Sequence, residues 1–95
     1  MNKNTLVKNI AKRLEKHNIE MHKIVNEVLG EIVEELKKGN KVNLSGFGTF
    51  EVRKRASRVG RDPQTGDQIQ LPETITAGFS ASKKLRQIIA NNNPQ

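Results

Sequence analysis

The sequence predicts an α+β chain with two N-terminal helices, a three-stranded antiparallel sheet that extends into a long β-ribbon arm, and a short C-terminal helix. Apolar residues recur at three- and four-residue steps through residue 36, which is the spacing of one helix face. From residue 41 the apolar period changes to two, as in half-buried strands. A turn cluster of Asp, Pro, Thr and Gly at residues 62 to 66 then reverses the chain.

The first helix is predicted from an apolar stripe that runs from Leu6 to Leu14, with cations on the other face. Asn2 or Asn4 offers a side chain that caps its first turn. Asn18 is expected to mark its end and to cap the helix that follows.

A longer apolar stripe predicts the second helix between Met21 and Leu36. Gly39 follows a cationic last turn and is expected to stop the helix. Gly30 lies inside the helix at a cost of about 1 kcal/mol relative to Ala, and this cost suggests close packing.

A β-hairpin is predicted next. Val42 and Leu44 alternate with polar residues in its first strand, and Phe50 and Val52 do so in the second. The glycines of residues 46 to 48 supply the turn between them.

The second strand continues beyond residue 53, where its apolar face disappears. Pro72 lacks a backbone donor, so the returning strand is expected to be an edge there. A two-stranded ribbon with little apolar surface is marginally stable alone, so residues 53 to 76 are predicted to project as an arm that a ligand orders. Five cations and no acid lie between residues 53 and 61, namely Arg53, Lys54, Arg55, Arg58 and Arg61.

Strand alternation divides these cations between two faces. Arg53 and Arg55 share one face of a flat strand, and Arg58 falls on the other. Two explanations are open at this point. A bulge near residues 56 and 57 resets the register, or the ribbon coils around its ligand and presents both faces.

The chain ends in a last short helix, which Ser80 or Ser82 is placed to cap. Residues 1 to 90 are expected to form a single domain that includes the arm. Residues 91 to 95 are expected to form a polar tail.

Charge indicates the class of partner. The 95 residues contain 17 Lys and Arg against 10 Asp and Glu, which gives a net charge of +7. Such an excess favours polyanions, chiefly nucleic acid. The apolar runs are far shorter than the roughly 20 residues of a membrane span, and no secretion signal begins the chain, so a cytoplasmic protein without a membrane partner is expected.

The sequence shows no arrangement typical of catalysis. His17 and His22 are five residues apart, which does not match the i, i+4 spacing of a helical metal pair. The chain has no Cys, and no glycine pattern typical of a dinucleotide or phosphate loop is present. We therefore expect a protein that is not an enzyme, with no catalytic residue, metal, cofactor or small-molecule substrate.

The central motif resembles a known family. Residues 46 to 52, Gly-Phe-Gly-Thr-Phe-Glu-Val, and the arm sequence up to Gly66 resemble the core and arm of the HU/IHF proteins. Phe79, Lys83 and Leu85 are similar to the family's ending. The resemblance covers residues 1 to 90.

The resemblance implies an intertwined homodimer whose two arms enter the DNA minor groove, with Pro63 as the wedge that kinks the duplex. It implies a dimer core of Phe47, Phe50 and Phe79. It also implies a bacterial, nucleoid-associated protein that compacts DNA largely without sequence specificity and prefers flexible, nicked or bent DNA. The DNA-binding residues expected on this basis are Lys3, Arg53, Lys54, Arg55, Arg58, Arg61, Pro63, Gln64, Lys83 and Arg86.

Three segments depart from the family pattern. Asp62 stands where the arm motif usually has Asn, and it could either repel phosphate or cap the turn. Residues 80 to 82, Ser-Ala-Ser, replace a glycine-containing entry to the last helix. Residues 15 to 20 lack the family's glycine-containing interhelix turn.

Three other functions compete with sequence-tolerant DNA bending. An IHF-like, site-specific role would usually involve two different chains. An RNA- or ribosome-associated role also suits a small basic chain, although the arm lacks aromatic residues for stacking on bases. A module that adds its arm to a partner's sheet is disfavoured by the excess of Arg.

Overall fold

A computed structural model describes residues 1 to 93, which divide into two compact units, Met1–Glu35 and the chain from Leu36 onward. The predicted α+β class is confirmed. Within the described residues the elements are α1 (Lys3–Leu14), α2 (Asn18–Lys37), β1 (Val42–Leu44), β2 (Gly48–Arg55), β3 (Arg58–Arg61), β4 (Gln68–Leu71), β5 (Thr74–Ala81) and α3 (Lys83–Asn92).

The first unit begins with a capped helix. The Asn2 side chain accepts a hydrogen bond from the backbone N–H of Thr5 at 2.9 Å, so Asn2 is the cap rather than Asn4. At the other end of α1, Glu15 adopts a left-handed conformation with φ 55° and ψ 46°. The N–H of Lys16 then bonds to the carbonyl of Ala11 at 2.9 Å. Glu15 thus performs the helix-ending role that glycine usually takes.

α2 begins one residue earlier than expected. The carbonyl of His17 accepts the first helical hydrogen bond, from Met21 N–H at 3.0 Å. Asn18 is therefore the first helical residue, and the expectation that it caps α2 is wrong. Gly39 has φ 83° and donates its N–H to the carbonyl of Leu36 at 2.9 Å, which confirms the predicted stop.

The strained turn gives a stability prediction. Replacing Glu15 with Gly is expected to raise the free energy of unfolding by about 1 kcal/mol, because a left-handed backbone is unfavourable for a residue with a Cβ. Glu20→Gly is the matched control, since the same change in the first turn of helix α2 should lower stability by up to about 1 kcal/mol. Urea denaturation at one fixed protein concentration measures both. A loss of stability in both variants would contradict the assignment of strain to Glu15.

The buried core of the first unit is small. It consists of Val7 and Ala11 from α1 with Met21 and Val25 from α2, and Ile10 packs against it. Much of the apolar stripe stays exposed in the single chain, with Leu14 58% and Val28 55% accessible. An added Cβ at Gly30 would meet nothing within 4 Å, so packing within this chain does not explain that glycine.

The second unit contains two antiparallel sheets. The first has the strand order β1-β2-β5, and the second pairs β3 with β4. The β2–β5 ladder ends at the pair Arg55–Thr74, and the β3–β4 ladder begins at the pair Arg58–Leu71. Two residues are skipped on each strand, so the ladder resumes in its original register. Of the two explanations left open for Arg58, a bulge near residues 56 and 57 is therefore excluded, because neither strand has an extra residue.

The break in the ladder coincides with a proline. Pro72 lies between β4 and β5, outside both strands. Since proline has no N–H to donate, a ladder hydrogen bond cannot form there.

Ser82 begins the last helix by accepting a hydrogen bond from Leu85 N–H at 3.1 Å. Ser80 lies in β5 and does not cap the helix. α3 continues through Asn92, so Asn91 and Asn92 of the predicted tail are helical. Pro94 and Gln95, the end of that tail, lie outside the described residues. The expectation of one domain over residues 1 to 90 stays a prediction.

The phenylalanines form a cluster in the second unit. The ring of Phe79 lies 5.5 Å from that of Phe47 and 4.8 Å from that of Phe50. Gly48 is buried beneath it, and a Cβ there would overlap the Phe79 ring and come within 2.5 Å of the Ser80 carbonyl oxygen. Glycine is needed at this position because a side chain would not fit, and not because of its backbone conformation.

We expect Gly48→Ala to lower the free energy of unfolding by about 2 to 3 kcal/mol, because the strands must separate to admit the methyl group. Gly30→Ala is the control, since its added methyl group has open space in this chain and it should gain up to about 1 kcal/mol in helix stability. Thermal unfolding compares the two variants. Equal effects would show that the Gly48 contact is easily relieved.

Candidate nucleic-acid interface

The ladder register assigns the strand residues of the second unit to two faces. Directly paired residues of an antiparallel sheet share a face, and alternate residues of one strand do too. We call one side the polar face, formed by Thr49, Glu51, Arg53, Arg55, Thr74, Thr76, Gly78 and Ser80. The opposite, apolar face carries Phe50, Val52, Lys54, Ile75, Ala77 and Phe79.

Arg53 is held across the polar face. Its Nη2 donates to Ser80 Oγ at 3.1 Å, and its Nε donates to Glu51 Oε1 at 3.4 Å. Its guanidinium lies over Gly78, where a Cβ would overlap it. Glu51 is also 3.8 Å from the ammonium group of Lys41. Each exposed contact is weak, but together they give the guanidinium one preferred position on this face.

These neighbours were not singled out from the sequence. Glu51 and Arg53 are two residues apart on one strand, so their proximity follows from alternation. Gly78 and Ser80 join them only through the β2–β5 register, which sequence spacing does not give.

The five arm cations divide between the two sets of alternating strand positions. Because the ladder keeps its register across the break, Arg61 belongs to the same alternating set as Arg53 and Arg55. Lys54 and Arg58 belong to the other alternating set. With the bulge excluded, coiling of the ribbon around a ligand stays the prediction that accounts for the position of Arg58.

The ribbon has a small apolar contact of its own. Leu71 lies over Gly60, and its Cδ1 is 2.9 Å from the position of an added Cβ. Val59 on the same ribbon is 61% exposed, so most of the arm surface remains accessible to a partner.

The arm tip is a compact turn with Pro63 exposed. The backbone N–H of Asp62 donates to the carbonyl of Asp67 at 2.9 Å, and the N–H of Gly66 donates to the carbonyl of Asp62 at 2.8 Å. Gly66 has φ 76°, a conformation that favours glycine. The Asp62 carboxylate accepts from Gln64 N–H at 2.8 Å, so it caps the turn.

The remaining predicted contact residues lie on helices. Lys83 and Arg86 are exposed on the first turn of α3, three residues apart and therefore neighbours on the helix surface. Lys3 is exposed at the start of α1, in the other unit. All the predicted DNA-contact residues are exposed.

Each unit also exposes apolar surface. In the first unit, α1 and α2 border a groove with an entirely apolar lining. In the second unit, Phe47 is 48% and Phe79 is 39% accessible despite their ring contacts. Apolar surface of this extent indicates a protein partner. The groove is lined by Leu6, Ile10, Leu14, Met21, Ile24, Val25, Val28 and Leu29.

The family of this chain follows from its match to a known family model. The family model described as bacterial DNA-binding protein matches residues 1–90. This chain belongs to the HU family of bacterial DNA-binding proteins. The resemblance stated from the sequence is thereby confirmed.

The relatives of this HU-family chain match over almost its full length. DNA-binding protein HU-1 of Halalkalibacterium halodurans is 43% identical over 89 residues, which cover 94% of this chain and 99% of the relative. DNA-binding protein HU 1 of Bacillus subtilis is 40% identical over 90 residues, covering 95% of this chain and 98% of the relative.

Solved structures of HU proteins resemble the fold as well. The HU chain of an Anabaena HU–DNA cocrystal structure matches with a TM-score of 0.84 and 37% identity, covering 95% of this chain and 98% of that one. HU from Thermotoga maritima matches with a TM-score of 0.66 and 26% identity, covering 94% and 98%. None of the helices among residues 1 to 93 combines the length and apolar composition of a membrane span.

Proposed function

We propose that this HU-family chain binds duplex DNA largely without sequence specificity and kinks it with β-arms placed in the minor groove. The observation that carries the proposal is the ribbon of β3 and β4, which presents a cationic, exposed surface and ends in an exposed proline turn. Family membership supports DNA as the partner and an architectural role. It does not support the RNA- or ribosome-associated alternative.

Phosphate contacts supply the affinity in this proposal. Four of the five arm cations are Arg, whose planar guanidinium suits phosphate oxygens and narrow minor grooves. The proposed phosphate contacts of the arm are Arg53, Lys54, Arg55, Arg58 and Arg61, with Gln64 beside the wedge. Lys3, Lys83 and Arg86 would contact the flanking DNA. Such contacts are made to the backbone of any sequence, which accounts for the low specificity.

Pro63 acts as the wedge. Its ring is rigid, apolar and exposed at the end of the arm, so it can occupy the space between two unstacked base pairs. The kink then depends on how easily the DNA deforms, which favours flexible, nicked or already bent duplexes.

HU proteins function as dimers, and this chain acts as a homodimer. A second copy would cover the apolar groove of α1 and α2, and Phe47, Phe50 and Phe79 would form the dimer core. Two arms per dimer would grip the duplex at two points and compact it. We place the protein in the cytoplasm, on the bacterial nucleoid, with no catalytic role.

The test compares nucleic acids of equal length. A DNA duplex with a fluorophore at each end should bind and show increased energy transfer as its ends approach. An A-form RNA duplex of the same length at the same salt concentration should bind at least about tenfold more weakly, because its deep, narrow major groove and shallow minor groove do not fit the arms. Equal binding of RNA, or DNA binding without a change in energy transfer, would contradict the proposal.

A further inference from the structure

We propose that Asp62 is a positioning residue that fixes the orientation of the Pro63 wedge. The role rests on the kinking function proposed above and assigns a specific part of it to the side chain that departs from the family pattern. Asp62 makes three hydrogen bonds within the tip: it donates from its backbone N–H to Asp67 and accepts at its carbonyl and carboxylate from Gly66 and Gln64.

The side-chain bond is the one that controls the proline. Pro63 has no N–H, so it cannot anchor itself by donating a backbone hydrogen bond. Its ring fixes φ but leaves ψ free. The 2.8 Å bond from Gln64 N–H to Asp62 Oδ1 spans Pro63 and restrains the peptide on its far side. The two backbone bonds join Asp62 to Gly66 and Asp67, directly before β4, so the turn holds Asp62 at the end of the ribbon.

The cap does not require the negative charge. An Asn side chain has a carbonyl oxygen that accepts the same hydrogen bond. The carboxylate therefore adds only a charge, at a surface that must approach phosphates, and this charge opposes binding. Asp67 is a second acid in the same tip, and its hydrogen bonds are made by its backbone, from its N–H to Thr65 Oγ1 and at its carbonyl from Asp62. Replacing Asp67 with Asn therefore removes a negative charge from the tip and leaves the Asp62 cap intact.

The experiment compares Asp62→Asn, Asp62→Ala and Asp67→Asn with the wild type in the full-length dimer. One readout is the bend of an end-labelled duplex by energy transfer at saturating protein. The other is the exchange rate of the Gln64 amide proton in the DNA-free protein, which reports whether its hydrogen bond to the Asp62 side chain is formed.

We expect Asp62→Asn to keep the wild-type bend and Gln64 exchange rate while binding about threefold more tightly, because one repulsive charge is gone. Asp67→Asn should behave in the same way. Asp62→Ala lacks the same charge, yet its Gln64 amide should exchange about tenfold faster, and its bend should fall to half or less.

The outcomes separate the positioning role from the kinking function. An Asp62→Ala variant that bends DNA like the wild type overturns the positioning role and leaves the kinking function intact. The positioning role is also overturned if Asp62→Asn loses the bend as completely as Asp62→Ala, because charge rather than the cap would then be responsible. A wild-type protein that binds DNA without bending it overturns the kinking function itself.

Discussion

Replacing Pro63 with alanine is expected to remove at least half of the DNA bend while weakening binding by less than about threefold. Minor-groove wedges, a class in which HU and IHF are established examples, offset an unstacking cost of a few kcal/mol per base step. Alanine is too small to occupy the opened step, so the straight complex becomes favoured. The arm cations still contact phosphate, so most of the affinity remains.

Energy transfer between labelled duplex ends measures the bend, and titration of the same duplex measures the affinity. Pro72→Ala is the matched control, since Pro72 is the other proline within the arm and lies away from the tip. It should leave the bend unchanged. A Pro63→Ala protein that bends DNA as the wild type does would exclude the wedge.

Placing a charge in the apolar groove is expected to disrupt the dimer. Val28 lines the groove and is 55% exposed in the single chain, so a second copy would bury it. Val28→Glu would place an unpaired carboxylate there, and the symmetry of a homodimer introduces it twice. A cost of at least about 3 kcal/mol corresponds to a dimer dissociation constant raised about 100-fold or more.

Asn26→Glu is the control for this substitution. It adds the same charge to an exposed position of α2, two residues from Val28 and outside the groove lining. Sedimentation across a concentration series should show Asn26→Glu as a dimer and Val28→Glu shifted towards monomer, with a parallel loss of stability. A fully dimeric Val28→Glu protein would show that another surface holds the two copies together.

Local sequence patterns predicted most of the fold. The three- and four-residue apolar period of α1 and α2 and the alternation through β1 and β2 depend on neighbouring residues, so both are visible without a structure. The loss of the apolar face after residue 53 likewise marked the arm, and Pro63 and Gly66 marked its turn.

Two of the features that the sequence did not settle are relations between distant residues. A bulge is present only if the two strands leave different numbers of residues unpaired between the two ladders. The unpaired residues of the returning strand include Pro72, about 16 residues after those of the first strand, so the comparison needs the strand pairing. The contact of Arg53 with Ser80 joins residues 27 apart and follows only from the β2–β5 register. The left-handed Glu15 was not expected either, because glutamate has no local preference for that conformation.

In the proposed complex the arms open a base step, and phosphate contacts hold them on the DNA. The most direct test is a comparison of affinity for an intact duplex and for the same duplex with a central nick, from 50 to 200 mM salt. We expect the nicked duplex to bind at least about tenfold more tightly at every salt concentration, because its kink costs less. Both affinities should fall by roughly 10³-fold across the range if six or more phosphates are contacted. Equal affinity for the two duplexes would contradict the account.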